Sequence, residues 1–117
     1  MNLQNLFVMQ EKLDNHIMEE HNLYGKTLFS EKLLALQVEI AELANETRCF
    51  KFWSNKGPSS KETILEEYVD CLHFILTIGL EKNYTDIVSG VINLITGWIS
   101  VITAKIVTLK LKSTPLN

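Results

Sequence analysis

Covalent and glycine-based devices are scarce in this 117-residue chain, which has two cysteines, two prolines and five glycines. Two thiols, Cys49 and Cys71, cannot staple a small secreted domain, so a reducing, cytoplasmic setting is the expectation. Neither thiol has the sequence context of a nucleophile, and no glycine-rich phosphate loop is present. Positive charge is also short: 11 basic residues stand against 14 acidic ones, for a net charge of −3. That balance does not suit a nucleic-acid polymer as partner. The first 25 residues carry acids throughout and no apolar core, so no secretory signal is visible. Internal repeats and low-complexity segments are missing as well.

What remains is an ordinary globular mixture, 46% hydrophobic and 21% charged, of a length that suits one domain over residues 1–117. Its charge is unevenly spread. All the acids lie in residues 1–86, which carry −6, whereas residues 87–117 carry three lysines and no acid. Ile87 to Ala104 is a run of 18 uncharged residues, short of the ~20 apolar residues a membrane span needs. Asn93, two glycines and several hydroxyl residues dilute it further, so a membrane is not the expected partner.

Apolar spacing predicts a helix over residues 2–21, with Leu3, Leu6, Phe7, Leu13 and Ile17 on one stripe. Gln10 and Asp14 interrupt that stripe, either as its wet margin or as a hydrogen-bonding pair facing a pocket. A second helix is expected from an N-cap at Ser30 to about Arg48. Leu33, Leu36, Ile40 and Leu43 line one of its faces and Leu34, Val38 and Ala41 nearly the opposite one, the pattern of a helix enclosed by neighbours. Between those faces Glu39, Glu42 and Glu46 fall in one narrow row, which calls for positive charge against it. An aromatic connection with Phe50, Phe52 and Trp53 follows. Ser59 and Glu62 then have capping-box spacing for a third helix reaching about Lys82. Beyond Asp86 the apolar period allows a fourth helix, although Lys105 to Lys112 also alternates like a strand.

The chemistry concentrates in two acidic pairs, Glu39-x-x-Glu42 and Glu67-x-x-Asp70, on consecutive helices. An antiparallel hairpin brings them face to face as a set of hard oxygen ligands suited to Mg²⁺ or Mn²⁺. A solvated helix edge is the simpler account of any one such pair, but a solvated edge mixes signs. Between Lys32 and Arg48 the only charges are Glu39, Glu42 and Glu46. Asp70-x-x-His73 also mimics the carboxylate-x-x-His step of di-iron bundles, which require that step on two helices. Here it occurs once.

The segments LALQVEIAELANE, CFKFW and ILEEYVDCLHFILTIGLE resemble the all-α, dimeric dUTP diphosphatases of the wider MazG-like NTP pyrophosphohydrolase group. The frame E-x-x-E…E-x-x-D, here Glu39, Glu42, Glu67 and Asp70, is that group's shared metal motif. CFKFW and VDCLHF point to the dUTPase branch, and the resemblance spans about residues 1–86. It implies an all-α, MazG-like helical bundle, with three helices in residues 1–86 and a weaker fourth in the apolar tail 87–117. It implies Mg²⁺, with Mn²⁺ as an alternative, on the four acids. It further implies hydrolysis of dUTP between the α and β phosphates to dUMP and pyrophosphate, by a homodimer. Glu39 and then Glu42 would position the attacking water, with Glu46 in support. Gln10 and Asp14 would face the uracil, with Asp14 standing where an amide is expected. Trp53 would stack on the base, His73 and Phe74 would form the pocket wall, and Lys51 would approach a phosphate. Relatives continue into a polar helix with a late basic cluster, which residues 87–117 do not resemble. Two alternatives follow: a pyrophosphohydrolase for another nucleotide, or an inactive, truncated relative that binds nucleotide or only dimerises.

Overall fold

A computed structural model of the chain describes residues 2–83 and, beyond them, only Gly97. Within those residues the fold is all-α, with three helices: α1 (Leu3–Glu20), α2 (Phe29–Thr47) and α3 (Lys61–Lys82). The expected fourth helix, the alternating segment Lys105 to Lys112 and most of the uncharged stretch from Ile87 lie outside the described residues. Among the described residues no helix is long and apolar enough to cross a membrane.

α1 begins where the Asn2 side chain accepts the Asn5 N–H (3.2 Å), a polar cap on an otherwise orphaned donor. It ends before His21, and Asn22 and Gly25 take left-handed backbone angles (φ 51° and 82°) to turn the chain back. α2 starts earlier than its sequence suggests. Leu28, not Ser30, occupies the cap position, and no side chain caps it. The Lys32 N–H reaches the Leu28 carbonyl (3.0 Å), which draws Phe29 and Ser30 into the first turn. Phe29 in turn receives the Lys82 ammonium 4.0 Å from its ring centre, so a contact with α3 outweighs the local cap preference.

The start of α3 is displaced by one residue in the same way. Ser60 is the cap and accepts the Thr63 N–H (3.3 Å), while the Ser59 hydroxyl bonds the Glu46 carboxylate. The Ser59 N–H also reaches the Glu46 carbonyl (3.0 Å), so Ser59 ties the loop to α2 and leaves the capping to its neighbour. The expected Ser59–Glu62 capping box is therefore not formed.

α3 is the common wall, with α2 and α1 both packed against it. Phe7 of α1 meets Ile75 and Leu76 of α3 in the central cluster, and Leu3, Leu6, Leu36, Leu72 and Leu80 pack around it. Leu43 and Cys71 are the most deeply buried side chains, at 1% and 0% exposure. The expectation that α2 is enclosed on both faces is not met by one copy of these helices. Leu34 and Val38 keep 61% and 47% of their surface exposed on the face opposite buried Leu43, and Leu33 and Ile40, on the Leu43 face, still keep 41% and 38%.

Candidate functional site

The antiparallel pairing of α2 and α3 brings Glu39, Glu67 and Asp70 together. One carboxylate oxygen from each lies within 4.8 Å of the others. Glu39 and Glu67 are half-buried and Asp70 is exposed. Burial raises the Glu39 carboxyl above its ordinary value, helped by a hydrogen bond shared with Glu42 and by the charges of Glu42, Asp70 and Glu67. Glu67 is raised by burial first and then by the charges of Glu42, Asp70, Glu46 and Glu66. Glu42 thus stands beside the three-carboxylate group, bonded to one of its members, and does not share its common centre.

Among the described residues no side chain forms an ion pair with these acids to supply the positive charge that the sequence calls for. Among the described residues the ion pairs are Lys32–Glu81 (2.7 Å) and His16–Glu20 (3.6 Å), neither of them in this group. Three convergent carboxylates form a hard-oxygen donor set, the ligand chemistry that suits a hard divalent cation such as Mg²⁺ or Mn²⁺. The di-iron alternative does not hold: His73 is not among the converging ligands and turns its Nδ1 to Gln10 instead. Cys71 lies beneath the group. Burial, then the charges of Glu39, Asp70 and Glu67, push its thiol up to about 11, so it is an inert packing group.

One helical turn along α2 and α3 from the acids, a cavity of about 380 Å³ opens between the three helices. Gln10, Asp14, His73 and Phe74 all line it. Gln10 is buried (5% exposed), its Nε2 donates to Asp14 Oδ1 (2.8 Å), and its Oε1 lies 2.7 Å from His73 Nδ1. Of the two readings of Gln10 and Asp14, the hydrogen-bonding pair facing a pocket is the one the structure contains. Thr77, which sequence reasoning passed over, completes the set by donating from Oγ1 to Asp14 Oδ2 (2.6 Å). Its position four residues after His73, on the same side of α3, was the available signal.

Lys51 and Trp53 do not line this cavity. Lys51 donates to Asn45 Oδ1 (2.6 Å) at the end of α2 and sits 5.6 Å from the Phe50 ring centre. Trp53 is 65% exposed and makes edge-on contacts with Phe50 and Phe52, at 6.0 and 5.1 Å between ring centres. Arg48 organises the same loop: it adopts a left-handed backbone (φ 56°), Nε donates to the Lys56 carbonyl (3.1 Å) and a terminal nitrogen donates to Ser54 Oγ (2.7 Å). Glu46, expected in support of the site, is held by Ser59 and acts on Glu67 through its charge.

The profile of one protein family, described as dUTPase, matches residues 2–112. The match runs past Asp86, where the resemblance read from the sequence ended, and so takes in most of the apolar tail. No curated protein and no solved structure matches the chain.

Proposed function

The chain belongs to the all-α, MazG-like dUTPase family, and from that premise we propose that it hydrolyses dUTP to dUMP and pyrophosphate with a divalent metal ion. Family membership supports the coarser statement, a nucleotide pyrophosphohydrolase-type activity. The observation that carries the finer one is a juxtaposition. A group of three carboxylates lies one helical turn from a cavity walled by an amide, a carboxylate, an imidazole and an aromatic ring. The first suits a metal-bound phosphate chain and the second a planar polar base.

On this reading Glu39, Glu67 and Asp70 would hold Mg²⁺, with Mn²⁺ as a substitute, and Glu42 would join them as the fourth ligand by turning toward their common centre. When bound, the ion offsets phosphate charge and acidifies water. Glu39 positions the attacking water, and burial raises its carboxyl above the ordinary value, the direction that favours accepting a proton. Glu42, through its hydrogen bond to Glu39, fixes that carboxyl's orientation. Gln10, Asp14, His73 and Phe74 bind the base and deoxyribose, Trp53 closes over the base, and Lys51 approaches a phosphate from the loop. For the last two this requires the 48–60 loop to move from its present contacts.

The test is pyrophosphate release from dUTP by the purified chain, with Mg²⁺ and then with EDTA. Turnover with Mg²⁺ and none with EDTA is the expected result. Glu42→Gln lowers kcat by roughly 100-fold or more at unchanged helicity, the scale of a lost positioning or general-base group. Failure of a folded sample to turn over dUTP, dTTP or any canonical nucleotide would leave a nucleotide-binding or dimerising relative as the better account. Turnover of another triphosphate in preference to dUTP would select the house-cleaning alternative.

A further inference from the structure

The polar wall of the cavity is built from two i, i+4 pairs on facing helices, Gln10 with Asp14 and His73 with Thr77, and its bonds run in one order. Thr77 Oγ1 donates to Asp14 Oδ2 (2.6 Å), Gln10 Nε2 donates to Asp14 Oδ1 (2.8 Å), and Gln10 Oε1 lies 2.7 Å from His73 Nδ1. A carboxylate offers only acceptors, so the amide must present its NH₂ end to Asp14. The amide is planar with its carbonyl on the other side, which places an acceptor against His73. A carbonyl cannot donate, so Nδ1 carries the proton. A neutral imidazole has only one N–H, and Nε2 is left with its lone pair.

We propose that Asp14 is a positioning residue that sets the hydrogen-bond polarity of the cavity, holding His73 through Gln10 as the Nδ1–H tautomer with Nε2 as an acceptor. His73 lines the cavity, and an Nε2 acceptor presented to it would select a ring N–H donor. Uracil and thymine carry one at N3, whereas cytosine has a lone pair there, so the arrangement favours the former over the latter. This assignment of a pyrimidine imide as ligand rests on the nucleotide reading above. The tautomer does not, because it follows from protein groups alone. The choice of a carboxylate at position 14 is what makes the order unique: an amide there would offer Gln10 either a donor or an acceptor, and the chain of bonds could run both ways.

Long-range ¹H–¹⁵N correlation spectra of the full, uniformly ¹⁵N-labelled chain read the tautomer directly, without nucleotide. They are recorded at a pH where the ring is neutral and assigned by the signals lost in His73→Gln. The expected wild-type pattern has a protonated Nδ1 and an unprotonated Nε2. In Asp14→Ala and Asp14→Asn the pattern moves toward Nε2–H or a mixture, and Thr77→Val, which leaves the Gln10–Asp14 bond in place, keeps the wild-type pattern. A wild-type ring protonated at Nε2 overturns the proposal before any variant is made, as does an unchanged pattern in both Asp14 variants. In turnover, Asp14→Ala lowers the ratio of kcat/KM for dUTP over dCTP by about tenfold, the size of one directed hydrogen bond. The expected tautomer in a chain that turns over no dUTP supports the Asp14 relay and removes only the nucleotide reading.

Discussion

At the scale of single residues, the acidic group is a liability of the kind that a bound cation would relieve. Glu39 and Glu67 bind protons more tightly in the folded chain than at their ordinary value of 4.5. The folded state therefore keeps protons that the unfolded state has released. The associated stability is fully present below pH 4.5 and is lost as pH rises through the raised folded values. Thermal melts in EDTA should thus show a decline on going from acid toward neutral pH. Glu67→Gln should remove part of that decline and stabilise the metal-free chain at neutral pH by about 0.5 kcal/mol, or roughly 2–4 °C in Tm. In saturating Mg²⁺ the order should reverse, because wild type gains binding energy that the variant lacks. Glutamine that stabilises equally with and without Mg²⁺ would count against a metal at this position. These acids were legible in the sequence because spacing alone put them on facing turns of adjacent helices. Thr77 was not, since a hydroxyl gains meaning here only from the carboxylate that α1 brings to it.

At the scale of elements, the helices were readable and their ends were not. Periodic leucines placed all three, yet α2 begins at Phe29 rather than after Ser30, and α3 is capped by Ser60 rather than Ser59. Both shifts come from contacts between elements: Lys82 over the Phe29 ring, and Ser59 bonded to Glu46. Two adjacent serines with two different jobs can be separated by experiment. Ser60→Ala removes a helix cap and should cost about 1 kcal/mol with turnover little changed. Ser59→Ala frees Glu46 and the loop, so it should disturb turnover more than stability. Denaturant melts paired with steady-state kinetics on both variants decide this; equal effects would mean that the two hydroxyls are interchangeable.

At the scale of the whole molecule, the described helices leave too much apolar surface in water. On α2, Leu34 (61%) and Val38 (47%) are exposed on the face opposite Leu43, and on α1 Val8, Met9, Leu13 and Ile17 are also exposed. The two-sided pattern on α2 was visible in the sequence, but of the three described helices only α3 packs extensively against it. A homodimer is the arrangement we propose to cover it, within a single domain spanning residues 1–117. Sedimentation should give twice the 13.4 kDa chain mass, and Val38→Glu should return it to a monomer with its helices intact. A wild-type monomer at all concentrations would instead assign that face to residues 87–117 of the same chain.

Arg48 joins all three scales. Its backbone sits at φ 56°, a conformation that costs an L-residue with a bulky side chain about 1 kcal/mol. Its guanidinium simultaneously stitches Ser54 and Lys56 to the end of α2. Glycine at this position would relax the first and cut the second. Arg48→Gly is therefore expected to melt within roughly 2–4 °C of wild type (about 0.5 kcal/mol or less, by near-cancellation of the two effects). The 48–60 segment should nevertheless become the first point of protease attack. The thermometer and the protease would disagree about whether anything had changed, and the aromatic loop is where they would differ.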